Sequence, residues 1–159
     1  MSIAVIAVGK LREKPYREMA DEYLKRLSRL GRVEEIELND LPEPATTSEA
    51  IEEQIRRREG EAILQKLKPG DHVIAMTIPG RQYSSPELAE KLERYRVQGV
   101  PRTVFIIGGS LGLGKNVLER ADEEMSMSRM TFPHQLARVM LLEQLYRAAK
   151  ITAGEKYHK

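Results

Sequence analysis

The run Thr103-Val-Phe-Ile-Ile-Gly-Gly-Ser-Leu-Gly-Leu-Gly-Lys115 decides how this 159-residue chain is read. From Val104 to Ile107 every residue is apolar, the pattern of a strand covered on both faces, as parallel strands are. The glycines that follow leave backbone N–H and C=O groups bare at the strand's carboxyl end, where open α/β sheets take their ligands. A second such edge follows in Met125-Ser-Met-Ser-Arg-Met-Thr-Phe-Pro-His134.

The segment Gly109 to Lys115, followed by Asn116, matches the phosphate-loop pattern G-x-x-x-x-G-K and fails at the last position. A phosphate loop needs Ser or Thr there to ligate magnesium, and no later apolar strand ends in an Asp to hold the metal from the other side. A nucleotide-binding protein using the Gly109 to Lys115 loop is therefore the alternative reading. A Rossmann enzyme is disfavoured too, because its glycine fingerprint follows the first strand and Val8-Gly9-Lys10-Leu11 holds one glycine.

Working outward, strands and helices alternate. Ile3 to Val8 reads as strand one, and a helix starts at Pro15 with Tyr16, Met19, Ala20, Tyr23, Leu24 and Leu27 on one face. Val33 to Leu38 is strand two; the next helix starts near Ser48, with Glu49, Glu52 and Glu53 at its positive end, and Pro69-Gly70 stops it. Strand three is expected over His72 to Ile78, turning at Pro79-Gly80, and Ser85-Pro86-Glu87 starts a helix that ends near Gly99. Strand four is Thr103 to Ile107, a short helix is expected from Lys115 to about Glu124, strand five around Met125 to Ser128, and a last helix from Pro133 to about Lys150. The alternation predicts one α/β domain over residues 1–159, a mainly parallel five-stranded sheet flanked by helices. The last helix is apolar nearly all round, from Leu136 to Ala149, which predicts burial on more than one side, either against a second copy of the chain or at the centre of a monomer.

Composition narrows the function. There is no cysteine, which excludes disulfides, thiolate metal sites and cysteine nucleophiles and suits a reducing cytosol. The apolar start is too short to span a membrane and lacks a basic leader, so a cytoplasmic protein is expected. From Met125 onward six Lys and Arg face two Glu, a bias of +4 in a chain whose net charge is +2. That end favours a polyanion, unless it is an ordinary solvated tail.

Four blocks carry a resemblance over the whole chain: Phe105-Ile-Ile-Gly-Gly-Ser-Leu-Gly-Leu113, Ser126-Met-Ser-Arg-Met-Thr-Phe-Pro-His-Gln135, Arg138-Val-Met-Leu-Leu-Glu-Gln-Leu-Tyr-Arg147 and Gly154-Glu-Lys-Tyr-His-Lys159. With the opening Ile-Ala-Val-Gly-Lys and the turn Ile78-Pro-Gly80, the chain resembles bacterial 23S rRNA pseudouridine N3-methyltransferases of the SPOUT class. The resemblance implies S-adenosylmethionine as methyl donor, no metal, a C-terminal trefoil knot, a homodimer, and a pseudouridine of the assembled ribosome as substrate. It implies cofactor contacts at Met76, Gly108, Met127, Ser128, Arg129, Met130, Thr131 and Phe132; for Met127, Met130 and Phe132 the other reading is core packing.

Methylation at N3 requires loss of an imide proton, so a base or a cation that stabilises the imide anion is needed. Glu143, His134, Tyr157 and His158 are the candidates, with Arg138 and Arg147 as anion or phosphate partners. Glu143 could equally form a helical ion pair with Arg147, four residues on, and His134 could serve as a helix cap. The resemblance brings the tail over the site, which makes Tyr157 and His158 the preferred substrate residues: a ring to stack on the base and an imidazole to bond or deprotonate it. Lys10, Arg12, Lys14 and Arg81 are candidate phosphate contacts, or ordinary surface cations.

Overall fold

A computed structural model describes residues 1–159. In chain order it runs β1 (Ser2–Val8), α1 (Lys14–Leu27), β2 (Val33–Leu38), α2 (Glu49–Leu64), β3 (Asp71–Gln82), α3 (Ser85–Val97), β4 (Arg102–Ile107), α4 (Lys115–Arg120), β5 (Glu123–Ser126) and α5 (His134–Thr152). The strands form one sheet in the order β2-β1-β4-β3-β5, and every pairing is parallel. The quoted strand, β4, is buried from end to end and lies at the centre, between β1 and β3.

Local chemistry sets the helix starts. Pro15 lies in the first turn of α1, and the Ser48 hydroxyl accepts the Ile51 N–H at 3.3 Å to cap α2. Ser84 and Glu87 close a capping box on α3, with bonds of 3.2 and 2.6 Å.

Two expectations are corrected. Strand β3 does not turn at Pro79-Gly80; it continues to Gln82, shifting register between Met76 and Arg81 and pairing with β5 a second time. Gly80 permits this, since a Cβ there would sit 2.7 Å from the Met125 backbone. The short helix stops at Arg120 rather than Glu124, and β5 begins at Glu123. Asp122 captures the chain early: its N–H donates to the Val73 carbonyl and its carboxylate accepts the Val73 N–H, both at 2.8 Å.

Helices cover both faces. Beneath α1, α3 and α5 lie Val5, Ile74 and Phe105 with Leu141, Leu142 and Leu145 of α5 itself; beneath α2 and α4 lie Ile6, Val104, Ile106, Ile63 and Val117. Packing of α5 against α1 and α3 as well as the sheet buries Val139, Leu141, Leu142, Leu145 and Ala148, while Leu136, Met140 and Ala149 stay partly exposed. No helix is long and apolar enough to cross a membrane.

Candidate functional site

At the carboxyl ends of β3, β4 and β5 the chain opens a cavity of about 630 Å³, a size usual for small-molecule sites. The glycine-rich loop after β4 forms one side, the segment after β5 another, and the first turn of α5 a third. Gly108 has no room for a side chain: a Cβ would meet the Gly112 carbonyl carbon at 2.8 Å. The loop closes on itself through the Gly112 N–H to the Gly109 carbonyl at 3.0 Å. After β5, the Ser126 hydroxyl donates to the Ser128 carbonyl at 2.9 Å and the Ser128 hydroxyl accepts the Met130 N–H at 3.0 Å, which turns the backbone toward the opening.

Seven of the eight expected cofactor residues line this one cavity: Met76, Gly108, Met127, Ser128, Met130, Thr131 and Phe132. Arg129 is not in the lining and is exposed. Met130 and Ile78 stand at 71% and 46% exposure on the rim, and large apolar side chains left in water beside a cleft mark a binding surface rather than core packing. His134 is the only ionisable lining residue. Burial, and next the charge of Arg138, lower its pKa against an opposing pull from Asp40, so the imidazole is neutral at physiological pH.

An uncharged lining disfavours a phosphate ligand. Lys115 points its Nζ to Glu53 at 3.4 Å, and the Asn116 amide donates to the Arg57 carbonyl at 3.1 Å while its oxygen accepts the Val117 N–H at 3.0 Å. Neither lines the cavity. The residues that imitate a phosphate loop fasten α4 to α2 instead.

The other candidates form a separate cluster on α5 and the tail. Glu143 accepts from Arg147 Nη2 at 2.5 Å and from the Tyr157 hydroxyl at 3.2 Å, and its second oxygen accepts from Gln144 at 2.7 Å. The Tyr157 ring meets Tyr146 edge-on at 4.8 Å, with the Arg147 guanidinium 4.8 Å away. Arg147 Nη1 also reaches His158 Nδ1 at 3.2 Å. Burial, then the neighbouring Tyr23 and Glu143, push the Tyr157 phenol up to about 12, so it is a neutral donor at pH 7 and not a base. Glu143 borders a second depression, about 520 Å³, that shares with the large cavity only Met127. In one protomer, then, Glu143 and the tail candidates Tyr157 and His158 stand outside the lining of the large cavity, whereas His134 is in its wall.

Residues 1–158 match the family model described as predicted SPOUT methyltransferase. The chain belongs to the SPOUT methyltransferase family. It is 48% identical over the full length of both chains to ribosomal RNA large subunit methyltransferase H of Bifidobacterium animalis subsp. lactis. It is 50% identical, again over both full lengths, to ribosomal RNA large subunit methyltransferase H 1 of Clostridium perfringens, and 48% identical to the H methyltransferase of Alkaliphilus oremlandii.

In this SPOUT methyltransferase the sequence reading missed Ile78, Leu113 and Ala137 as cavity walls and gave His134 no place in one. Ile78 was hidden because a turn was expected where β3 continues. Of the C-terminal basic surplus, Arg138 is fully buried among glutamates, and Arg147 and Lys150 pair with Glu143 and Glu155. The outward-facing cations of that segment reduce to Arg129, Lys156 and Lys159.

Proposed function

We propose that this chain transfers a methyl group from S-adenosylmethionine to N3 of a pseudouridine in 23S rRNA of the assembled ribosome, and does so as a homodimer in the cytoplasm. The observation that carries the reading is the uncharged cavity built from Met76, the Gly108 turn, Met127, Ser128 and residues 130–132. S-adenosylmethionine carries no phosphate, so its site needs an apolar slot for adenine and backbone groups for polar edges; this lining supplies both. The tight turn at Gly108 depends on glycine, since any Cβ there would strike the Gly112 backbone. The names of the full-length relatives supply the rRNA substrate class.

When bound, the cofactor supplies an electrophilic methyl on a sulfonium. The chain's residues must hold the base and take its N3 proton as the new N–C bond forms. Both Glu143 oxygens are already engaged, so Glu143 acts as the anchor that orients Arg147 and Tyr157. Tyr157 offers a ring to the base, Arg147 offers positive charge to the imide anion, and His158 accepts the proton at Nδ1 once Arg147 turns from that nitrogen to the anion. A second copy laid against Met19, Tyr23, Tyr83 and Met140, beside Glu143, brings the tail cluster of one protomer to the cavity of its partner.

Titration calorimetry of the purified protein with S-adenosylmethionine, and separately with ATP and magnesium, tests the cavity. The reading expects heat from the first alone; heat from ATP alone would restore the phosphate-loop reading. Transfer of labelled methyl to intact ribosomes, with nucleoside analysis of the product, then tests substrate and position.

A further inference from the structure

Arg138 is the largest fully buried side chain in the molecule. Its Nη2 donates to the Gly9 carbonyl and its Nη1 to Glu37, both at 2.6 Å. Glu37 also accepts the Leu11 N–H at 3.1 Å and lies 3.3 Å from Arg17, which bonds Glu35 at 2.7 Å. Two arginines and two glutamates thus join α5, the turn after β1, the end of β2, and α1.

Stability does not explain this quartet. Arg138 Nε and Glu35 Oε2 are buried with no partner, the latter 3.8 Å from Arg138 Nη1. A half-satisfied buried network is worse than apolar packing of the same volume. What it does is geometric. Arg138 lies one helical turn beyond His134 and next to Ala137, both cavity walls. Gly9, at φ +97°, brings its Cα so close that a Cβ would stand 3.6 Å from His134 Cε1. The next residue, Lys10, is exposed and has no ion-pair partner, on a turn that also carries Arg12.

We propose that Arg138 is a positioning residue: through the Gly9 carbonyl and Glu37 it locks the turn bearing Lys10 to the cavity wall of α5, so that Lys10 meets an RNA phosphate in register with the cofactor. This rests on the rRNA methyltransferase reading. Methyl transfer by the wild-type protein tests that reading separately.

The experiment measures the affinity of S-adenosylmethionine-loaded protein for ribosomal particles against potassium chloride concentration. Lys10→Ala removes one phosphate contact and is expected to reduce the salt slope by about 1. Arg138→Lys changes no surface charge, yet is expected to reduce the slope by the same amount with S-adenosylmethionine affinity unchanged within about twofold. Combined with Lys10→Ala it should add nothing, because both act through one contact. Glu37→Gln, which keeps an acceptor for the Leu11 N–H, is carried through the same cycle. An unchanged slope in both interior variants, additive losses, or a parallel fall in cofactor affinity would overturn the proposal. Failure of both variants to fold would overturn it too, by making the quartet a stability element.

Discussion

Across β3, β4 and β5 the two ends of the sheet obey opposite rules. At the amino ends of the strands charge is buried and closely matched: Asp71 holds Arg102 through bonds of 2.6 and 2.9 Å, and Glu123 is gripped by His72 at 2.7 Å, by Lys91 at 2.9 Å and by the Tyr95 hydroxyl. At the carboxyl ends a glycine turn and exposed Met130 and Ile78 surround a cavity with one ionisable lining residue. Paired charge closes an end; backbone groups and apolar surface left unused open one for a ligand.

The difference predicts that stability and binding separate by position. Asp71→Ala strips Arg102 of its buried partner and should cost about 3 to 5 kcal/mol in denaturant unfolding. The Asp71 carboxyl shows the same effect in pH. Burial alone would raise its pKa, but hydrogen bonds from Arg102 and the Lys68 N–H outweigh that and hold it below the usual range. A depressed folded-state pKa gives stability that is full above the unfolded value, near 3.9, and is lost as pH falls through the lower folded value. Unfolding curves for wild type and Asp71→Asn should therefore converge as the pH is lowered below about 4. A stability gap that persisted at low pH would show that shape and not charge holds this end.

At the opposite end, Gly108→Val should reverse the balance. The added atoms meet the Gly112 backbone, strain of about 1 to 3 kcal/mol falls on the loop, and S-adenosylmethionine binding should weaken roughly 10- to 100-fold. Calorimetry reads the affinity. Equal affinity in this variant would remove the glycine turn from the site.

Tyr157→Phe probes whether the tail cluster belongs to the chemistry. It deletes one hydrogen bond to Glu143, worth about 1 kcal/mol. Methylation of ribosomes should fall about fivefold in kcat/KM, with cofactor affinity unchanged. If cofactor binding fell instead, the cluster would be part of the cavity wall.

How much of this was legible follows from the range of the interactions involved. Strands β1 and β4 were readable because their apolar runs and bounding glycines are local signals, and α3 because Ser85-Pro86-Glu87 announces a helix start within one turn. The second half of β3 was not, since Pro79-Gly80 is a turn signal that only contact with Met125 overrides. The eight residues expected at a cofactor came from family resemblance, and seven of them line one cavity. Arg138 was legible only as a cation; its burial depends on Glu37, 101 residues away. The same distance hides why a basic tail presents less charge than its composition suggests.

Met130 gives the smallest and most discriminating test. Its side chain is 71% exposed, so truncation removes almost no folded-state packing, and Met130→Ala should leave unfolding free energy within about 0.5 kcal/mol of wild type. A residue that packs only when ligand arrives behaves differently on binding. The lost apolar contact should weaken S-adenosylmethionine affinity roughly threefold, with no change in the pH dependence of folding. A variant that binds as well as wild type would make Met130 an ordinary surface methionine and shrink the open end of the sheet to its glycine turn. One that binds less well at unchanged stability would show that the exposed apolar rim is kept for the ligand, at no cost to the fold.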